Sequence, residues 1–206
     1  MHIVSIYSLK PKFQSLLRPL VKMLYEQGVT ANQVTLFACC ISVALGLLLV
    51  INPVPQLFLI IPLWMFLRMA ANAVDGMLAR EFNQKSALGA YLNELTDLIS
   101  DACLYLPFIN ISNTSSTWVW LIICLSIVVE YSGVLGVMVG ASRRYDGPFG
   151  KSDRAFVFGV LALIVGLGLP VHSWISYCFL IMVILSVVTL IQRVRKGLQE
   201  IQTLKI

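Results

Sequence analysis

The sequence predicts an all-α integral membrane protein, with six transmembrane helices preceded by an amphipathic juxtamembrane helix. Three observations carry that expectation. Of 206 residues, 58% are hydrophobic and only 12% charged, whereas a soluble domain carries about a quarter charged residues. Six apolar runs approach the length of about 20 residues needed to cross about 30 Å of hydrocarbon. Lys and Arg, Arg68 apart, fall in the leader, the tail and alternate connections between those runs.

The first element is the leader, 9–27. Phe13, Leu16, Leu17, Leu20, Met23 and Leu24 recur at helical spacing, with Lys10, Lys12, Arg18 and Lys22 between them. Such a pattern lies in the plane of the bilayer interface. Gly28 suits its end, and Thr30 or Asn32 suits the start of the next helix. The spans follow at about 31–51, 55–80, 86–109, 116–142, 153–169 and 171–192, with Pro170 closing the fifth. Continuous apolar runs of this length exclude barrel strands. The whole chain, 1–206, is one membrane domain with no room for a soluble module.

Fourteen of the fifteen basic residues fall on one side. They occupy the leader, the turn with Arg80 and Lys85, the loop with Arg143, Arg144, Lys151 and Arg154, and the segment from Arg193. The opposite connections, around 52–54, 110–115 and 170–171, contain none. Both termini are therefore expected in the cytoplasm. The five cysteines lie in apolar runs without metal-site spacing and read as packing residues. Sequons at Asn110 and Asn113 hug the bilayer and read as chance.

Ionisable groups inside a span are costly, so their clustering is informative. Arg68, Asn72, Asp75, Gly76 and Ala79 share an arc of about 100° on the second span. Asn93, Glu94, Asp97 and Asp101 do so on the third, and the short turn 81–85 makes the two helices antiparallel neighbours. Converging hard-oxygen side chains suit Mg²⁺ or Mn²⁺, and Gly76, Ala79 and Gly89 leave space for a ligand. The bland alternative is a set of ion pairs holding the bundle, with Arg68 paired to Asp101 or Glu130.

The spacing Asn72-x2-Asp75-Gly76-x2-Ala79-Arg80-x8-Gly89-x3-Asn93-x3-Asp97 resembles the signature of the CDP-alcohol phosphatidyltransferases in every interval. Thr30-Ala31-Asn32-Gln33-Val34-Thr35 looks like that family's approach to its first span, and the resemblance covers the whole chain. It implies attack of an alcohol hydroxyl on the β-phosphorus of a CDP-linked lipid, releasing CMP. It further implies Asp75 as a metal ligand, Asp97 as ligand and general base, and CDP contacts from Asp75, Gly76, Ala79, Arg80, Gly89 and Thr35. A homodimer in a bacterial inner membrane is implied too, with membrane lipids as neighbours and no nucleic-acid partner. The spacing Asp97-x3-Asp101 is similar to the phosphatidylinositol-phosphate synthase branch.

The sequence departs from the signature at two of its four aspartates, which are Asn72 and Asn93 here. An amide oxygen still coordinates a hard cation but removes a negative charge; Glu94 and Asp101 would restore it. Retention of oxygen donors favours a retuned enzyme over its alternative, a catalytically silent lipid- or nucleotide-binding homologue. Lys151, Arg154, Arg143 and Arg144 would bind an anionic acceptor such as an alcohol phosphate, although positive-inside topology accounts for basic loop residues as well. The spacing of Gly133, Gly136 and Gly140 contains a GxxxG, suited to packing within the bundle or to a dimer seam.

Overall fold

The computed structural model describes residues 9–111, 115–171 and 174–204. The sequon at Asn113 and the first part of the sixth expected span fall outside them. Seven α-helices are described: α1 Leu9–Glu26, α2 Ala31–Ile51, α3 Ile60–Glu81, α4 Ala87–Tyr105, α5 Ser116–Met138, α6 Lys151–Gly166 and α7 Trp174–Leu204. Short 3₁₀ turns at Pro55–Leu59 and Leu106–Asn110 lead into α3 and out of α4. No strand occurs among the described residues.

Helix ends follow local chemistry. Gly28, at φ +77°, ends α1 in the left-handed conformation, and the Val29 N–H bonds back to the Leu24 carbonyl. Thr30 caps α2 through a reciprocal box. Its backbone N–H donates to Gln33 Oε1 at 2.8 Å, and its hydroxyl accepts from the Gln33 N–H at 3.3 Å. Asp153 caps α6 by accepting the Gly150 N–H at 2.8 Å.

Four stretches are long and apolar enough to cross a membrane: Ala31–Ile51, Pro55–Glu81, Ser116–Met138 and Trp174–Thr203. The protein is an integral membrane protein. Two of the expected spans are weaker on this measure for physical reasons. Helix α4 carries Glu94, Asp97 and Asp101, and α6 has only 16 residues. Helix α4 is instead arranged inside-out, with Leu88, Tyr91, Leu95 and Ile99 exposed and the acidic face turned inward. Several boundaries also differ from expectation. Helix α5 stops at Met138 rather than 142, while α7 continues to Leu204 rather than 192.

The chain forms two compact units: Met1–Val43 with Leu63–Ser100, and Ala44–Pro62 with Asp101–Ile206. In the first, α1 turns Val21 inward onto Ala31, Val74, Met77 and Leu78, flanked by Leu17 and Leu24. Leu16, Leu20 and Met23 on the same helix stay exposed. In the second, Tyr105, Phe108, Phe158 and Phe179 form an aromatic core, with Tyr105 stacked on Phe158 and Phe108 edge-on to it. Glycine lets α5 receive a loop there. A Cβ on Gly133 would stand 2.6 Å from the Arg144 carbonyl oxygen, and one on Gly136 3.0 Å from that of Ser142. These two positions therefore serve packing within the chain.

Candidate active site

The site is built in the first unit, from the last turns of α3 and the first turns of α4. Arg68, Asn72 and Asp75 lie three or four residues apart on α3, and Asn93 and Asp97 one turn apart on α4. Side chains so spaced share a helix face. The two faces meet through three groups. Arg68 Nη2 donates to Asp97 Oδ1 at 2.9 Å and to the Asp97 carbonyl at 3.2 Å. Asn72 Nδ2 donates to the same Oδ1 at 3.3 Å. Arg68, expected against Asp101 or Glu130, pairs with Asp97 within this unit.

Asp75 is buried and accepts a 2.7 Å hydrogen bond from the hydroxyl of Thr35 on α2. Helix α2 is itself anchored at its start, where the Ala31 N–H donates to Gln84 Oε1 at 2.7 Å. At two of the small residues, side chains of the protein itself take up the space. The Arg80 guanidinium folds back over Gly76, where a Cβ would stand 2.9 Å from Nη2. On α4, a Cβ at Gly89 would stand 2.9 Å from Asn32 Oδ1. Ala79 packs against the α1–α3 core, and Asn93 and Glu94 are half-buried. Asp101 is buried on α4, one turn beyond Asp97, and belongs to the second unit.

The second unit holds the basic loop. Arg154 is 0% exposed, and its Nη2 donates to Glu130 Oε1 at 2.7 Å and Nη1 to the Phe149 carbonyl at 3.2 Å. This corrects the expectation of Arg154 as a presented acceptor-binding cation. A buried guanidinium needs a counter-charge, and Glu130 supplies it. Arg193 joins the same carboxylate at 3.3 Å and donates to the Val129 carbonyl at 2.7 Å. Sequence reasoning gave Arg193 only a topological role. The signal available was its position at the end of an apolar run facing an intramembrane glutamate.

Arg144 is also engaged within the fold. It pairs with Asp146 at 2.7 Å and with the Glu200 carboxylate. Arg143 lies over the Tyr145 ring at 4.8 Å, and Lys151 opens α6, half-buried. Burial pushes the Asp146 carboxyl upward, but hydrogen bonds and charge from Lys196 and Arg144 outweigh it and hold the group below its ordinary range.

A profile of the CDP-alcohol phosphatidyltransferase family matches residues 28–191, which include every residue of this site. The chain belongs to the CDP-alcohol phosphatidyltransferase family. It is 46% identical over 195 residues to the inner membrane protein YnbA of Escherichia coli, covering 95% of this chain and 97% of that one. It is 28% identical to the phosphatidylinositol phosphate synthase of Streptomyces avermitilis, over 88% of this chain and 78% of that one. The fold matches a crystal structure of the Mycobacterium tuberculosis phosphatidylinositol phosphate synthase in complex with manganese and citrate. That match has a TM-score of 0.71 at 21% identity and covers 87% of both chains.

Membership of this phosphatidyltransferase family raises the question of a metal. Among the described residues, no three His, Cys, Asp or Glu side chains converge closely enough to hold one alone. The donors are two carboxylates, Asp75 and Asp97, and two carboxamides, Asn72 and Asn93. All are hard oxygens. Mg²⁺ is commonly held by one or two carboxylates plus substrate phosphates, without an all-protein cage. The set therefore fits one divalent cation completed by a diphosphate.

Proposed function

We propose that this protein transfers a phosphatidyl group from a CDP-linked lipid, CDP-diacylglycerol, to an alcohol acceptor, with release of CMP. One observation carries the reading. The two halves of the family motif meet, through the 3.3 Å contact of Asn72 with Asp97 beside the Arg68–Asp97 pair. Those residues are 25 positions apart in sequence, and their meeting makes a polar focus between two largely apolar helices.

In this reading Asp97 accepts the proton of the attacking hydroxyl. Arg80, laid over Gly76, contacts diphosphate oxygens through its guanidinium. Thr35 orients Asp75, and Gly76, Ala79 and Gly89 admit the nucleotide. Mg²⁺ or Mn²⁺ held by Asp75 with Asn72 and Asn93, and with Glu94 and Asp101 adding negative charge nearby, would neutralise diphosphate charge and polarise the phosphoryl group. Arg143 and Lys151 contact an anionic acceptor such as an alcohol phosphate, while Arg144 and Arg154 hold the loop that carries them. We place all six hydrophobic helices, α2 to α7, across a bacterial inner membrane, with α1 in the interface and both termini cytoplasmic. The family resemblance supports a homodimer.

The test is CMP release by purified protein from CDP-diacylglycerol with Mg²⁺ or Mn²⁺. The acceptor panel comprises polyol phosphates, free polyols and amino alcohols. Release that needs both acceptor and Asp97 supports the reading. The alternative, binding of the CDP-lipid without turnover, is favoured by the engagement of Asp97 Oδ1 with two donors. Saturable binding without CMP release from any acceptor would decide for it.

A further inference from the structure

The signature leaves the eight residues between Arg80 and Gly89 unspecified, yet in the structure this stretch ties four helices together. Glu81 accepts from Nε and Nη2 of Arg18 on α1 at 3.1 and 2.9 Å, and the Phe82 ring lies against that of Tyr25, centroids 4.4 Å apart. Asn83 turns the chain at φ +56°. Ser86 accepts the Gly89 N–H at 2.9 Å and so caps α4. Gln84 reaches α2, where its Oε1 accepts the Ala31 N–H at 2.7 Å.

Ala31 is buried at the first position of α2, where a backbone N–H has no partner within its own helix. Gln84 supplies one from 53 residues away. The Thr30–Gln33 box also caps this end, but it lies within the α2 segment and does not tie the helix to its neighbours. The Gln84 bond does, close to where Asn32 Oδ1 would meet a Cβ at Gly89. The carbonyl of Ala31 lies 3.0 Å from the Thr35 hydroxyl, which is 2.7 Å from Asp75 Oδ2. A hydroxyl has one proton to donate, and a carboxylate makes the shorter, stronger bond, so the proton points to Asp75. Where that hydroxyl stands depends on how the first turn of α2 is held.

We propose that Gln84 is a positioning residue, which clamps the first turn of α2 to the α3–α4 turn and thereby sets the Thr35 hydroxyl on Asp75, the candidate metal ligand. The inference rests on the transferase reading for the role of Asp75, and metal affinity tests it without turnover. The full chain in detergent, with CDP as the probe ligand, is titrated with Mn²⁺ and followed by electron paramagnetic resonance. Gln84→Met keeps the length and removes the acceptor, and should weaken Mn²⁺ binding by about 3- to 10-fold. Gln84→Glu, which keeps an acceptor, should bind as the wild type does. In a Thr35→Val background Gln84→Met should add nothing, because the hydroxyl it positions is gone. A cap that merely stabilises the fold would lower the melting temperature and leave the affinity of the folded protein unchanged. That result, a Gln84→Glu as weak as Gln84→Met, additive losses in the double variant, or no Mn²⁺ binding by the wild type would each overturn the proposal. Should Gln84→Met fail to fold, Gln84→Asn, one methylene shorter, takes its place in both backgrounds with the same expected losses. Weakened, non-additive affinity in a chain that releases no CMP would leave this inference standing and count against the transferase reading. CMP release by the wild type with unchanged affinity in Gln84→Met would do the reverse.

Discussion

The Thr35 hydroxyl lies 2.7 Å from Asp75 Oδ2, linking α2 to α3 across 40 residues of sequence. Both groups are buried, and a hydrogen bond to a charged acceptor stabilises by about 1.5–3 kcal/mol. Thr35→Val keeps the shape and removes the donor. CMP release by this variant should fall by about 10- to 100-fold, with Thr35→Ser close to wild type. Equal activity in Thr35→Val and wild type would show that Asp75 needs no such orientation.

Asp97 stands where the two motif helices meet. Replacing it by Asn preserves volume and removes the proton acceptor, so kcat for CMP release should drop by about 10²- to 10⁴-fold. Binding of the CDP-lipid, followed by fluorescence or calorimetry, should change far less. A loss confined to binding would assign Asp97 to ligand recognition.

Glu130 is the counter-charge of two buried arginines, Arg154 and Arg193. Glu130→Gln leaves both guanidinium groups inside the bundle without it, a defect of about 3–5 kcal/mol. In detergent the melting temperature should fall by about 10 °C. Replacing Glu130 and Arg154 together by Met should be better tolerated, because the matched pair leaves less charge uncompensated.

Asp146 gives the protein an acid-sensitive clasp. Its carboxyl is held below the ordinary range by Lys196 and Arg144, against burial. A carboxyl depressed on folding stabilises the fold above its unfolded pKa, about pH 4. That stability is lost as pH falls through the lower folded value. Thermal melts of the wild type should therefore decline as pH drops below about 4, and Asp146→Asn should flatten that decline while lowering stability at neutral pH.

Much of this fold is legible in the sequence because its signals are local. Gly28 and the Thr30–Gln33 box mark the passage from α1 to α2, and helical spacing alone places Asn93, Asp97 and Asp101 on one face of α4. Ends set by tertiary packing are harder. Helix α5 stops at Met138, four residues early, as the chain turns at Gly140 and runs back over Gly133 and Gly136. Helix α7 passes its apolar run because Arg193, Lys196 and Glu200 find partners on the loop before α6.

The site shows the same division. Periodicity gives Arg68 its helix face, but which carboxylate it meets depends on the axial offset of α4, set by the turn around Asn83 at φ +56°. Asn72 reads from sequence as a weakened ligand; in the structure its amide is a donor to Asp97. The basic loop likewise reads as four presented cations, whereas Arg144 and Arg154 are bound up in the fold. Spacing reports which residues share a face and leaves open which of them neutralise each other.

The measurement that bears most directly on the central claim is mass spectrometric identification of the lipid product. Purified protein would be incubated with CDP-diacylglycerol, Mn²⁺ and each acceptor class. The expected result is a new phosphatidyl-alcohol lipid in equal amount to CMP, abolished in Asp97→Asn. No CMP with any acceptor, or CMP accompanied only by phosphatidic acid from attack by water, would contradict the assignment of this site to phosphatidyl transfer.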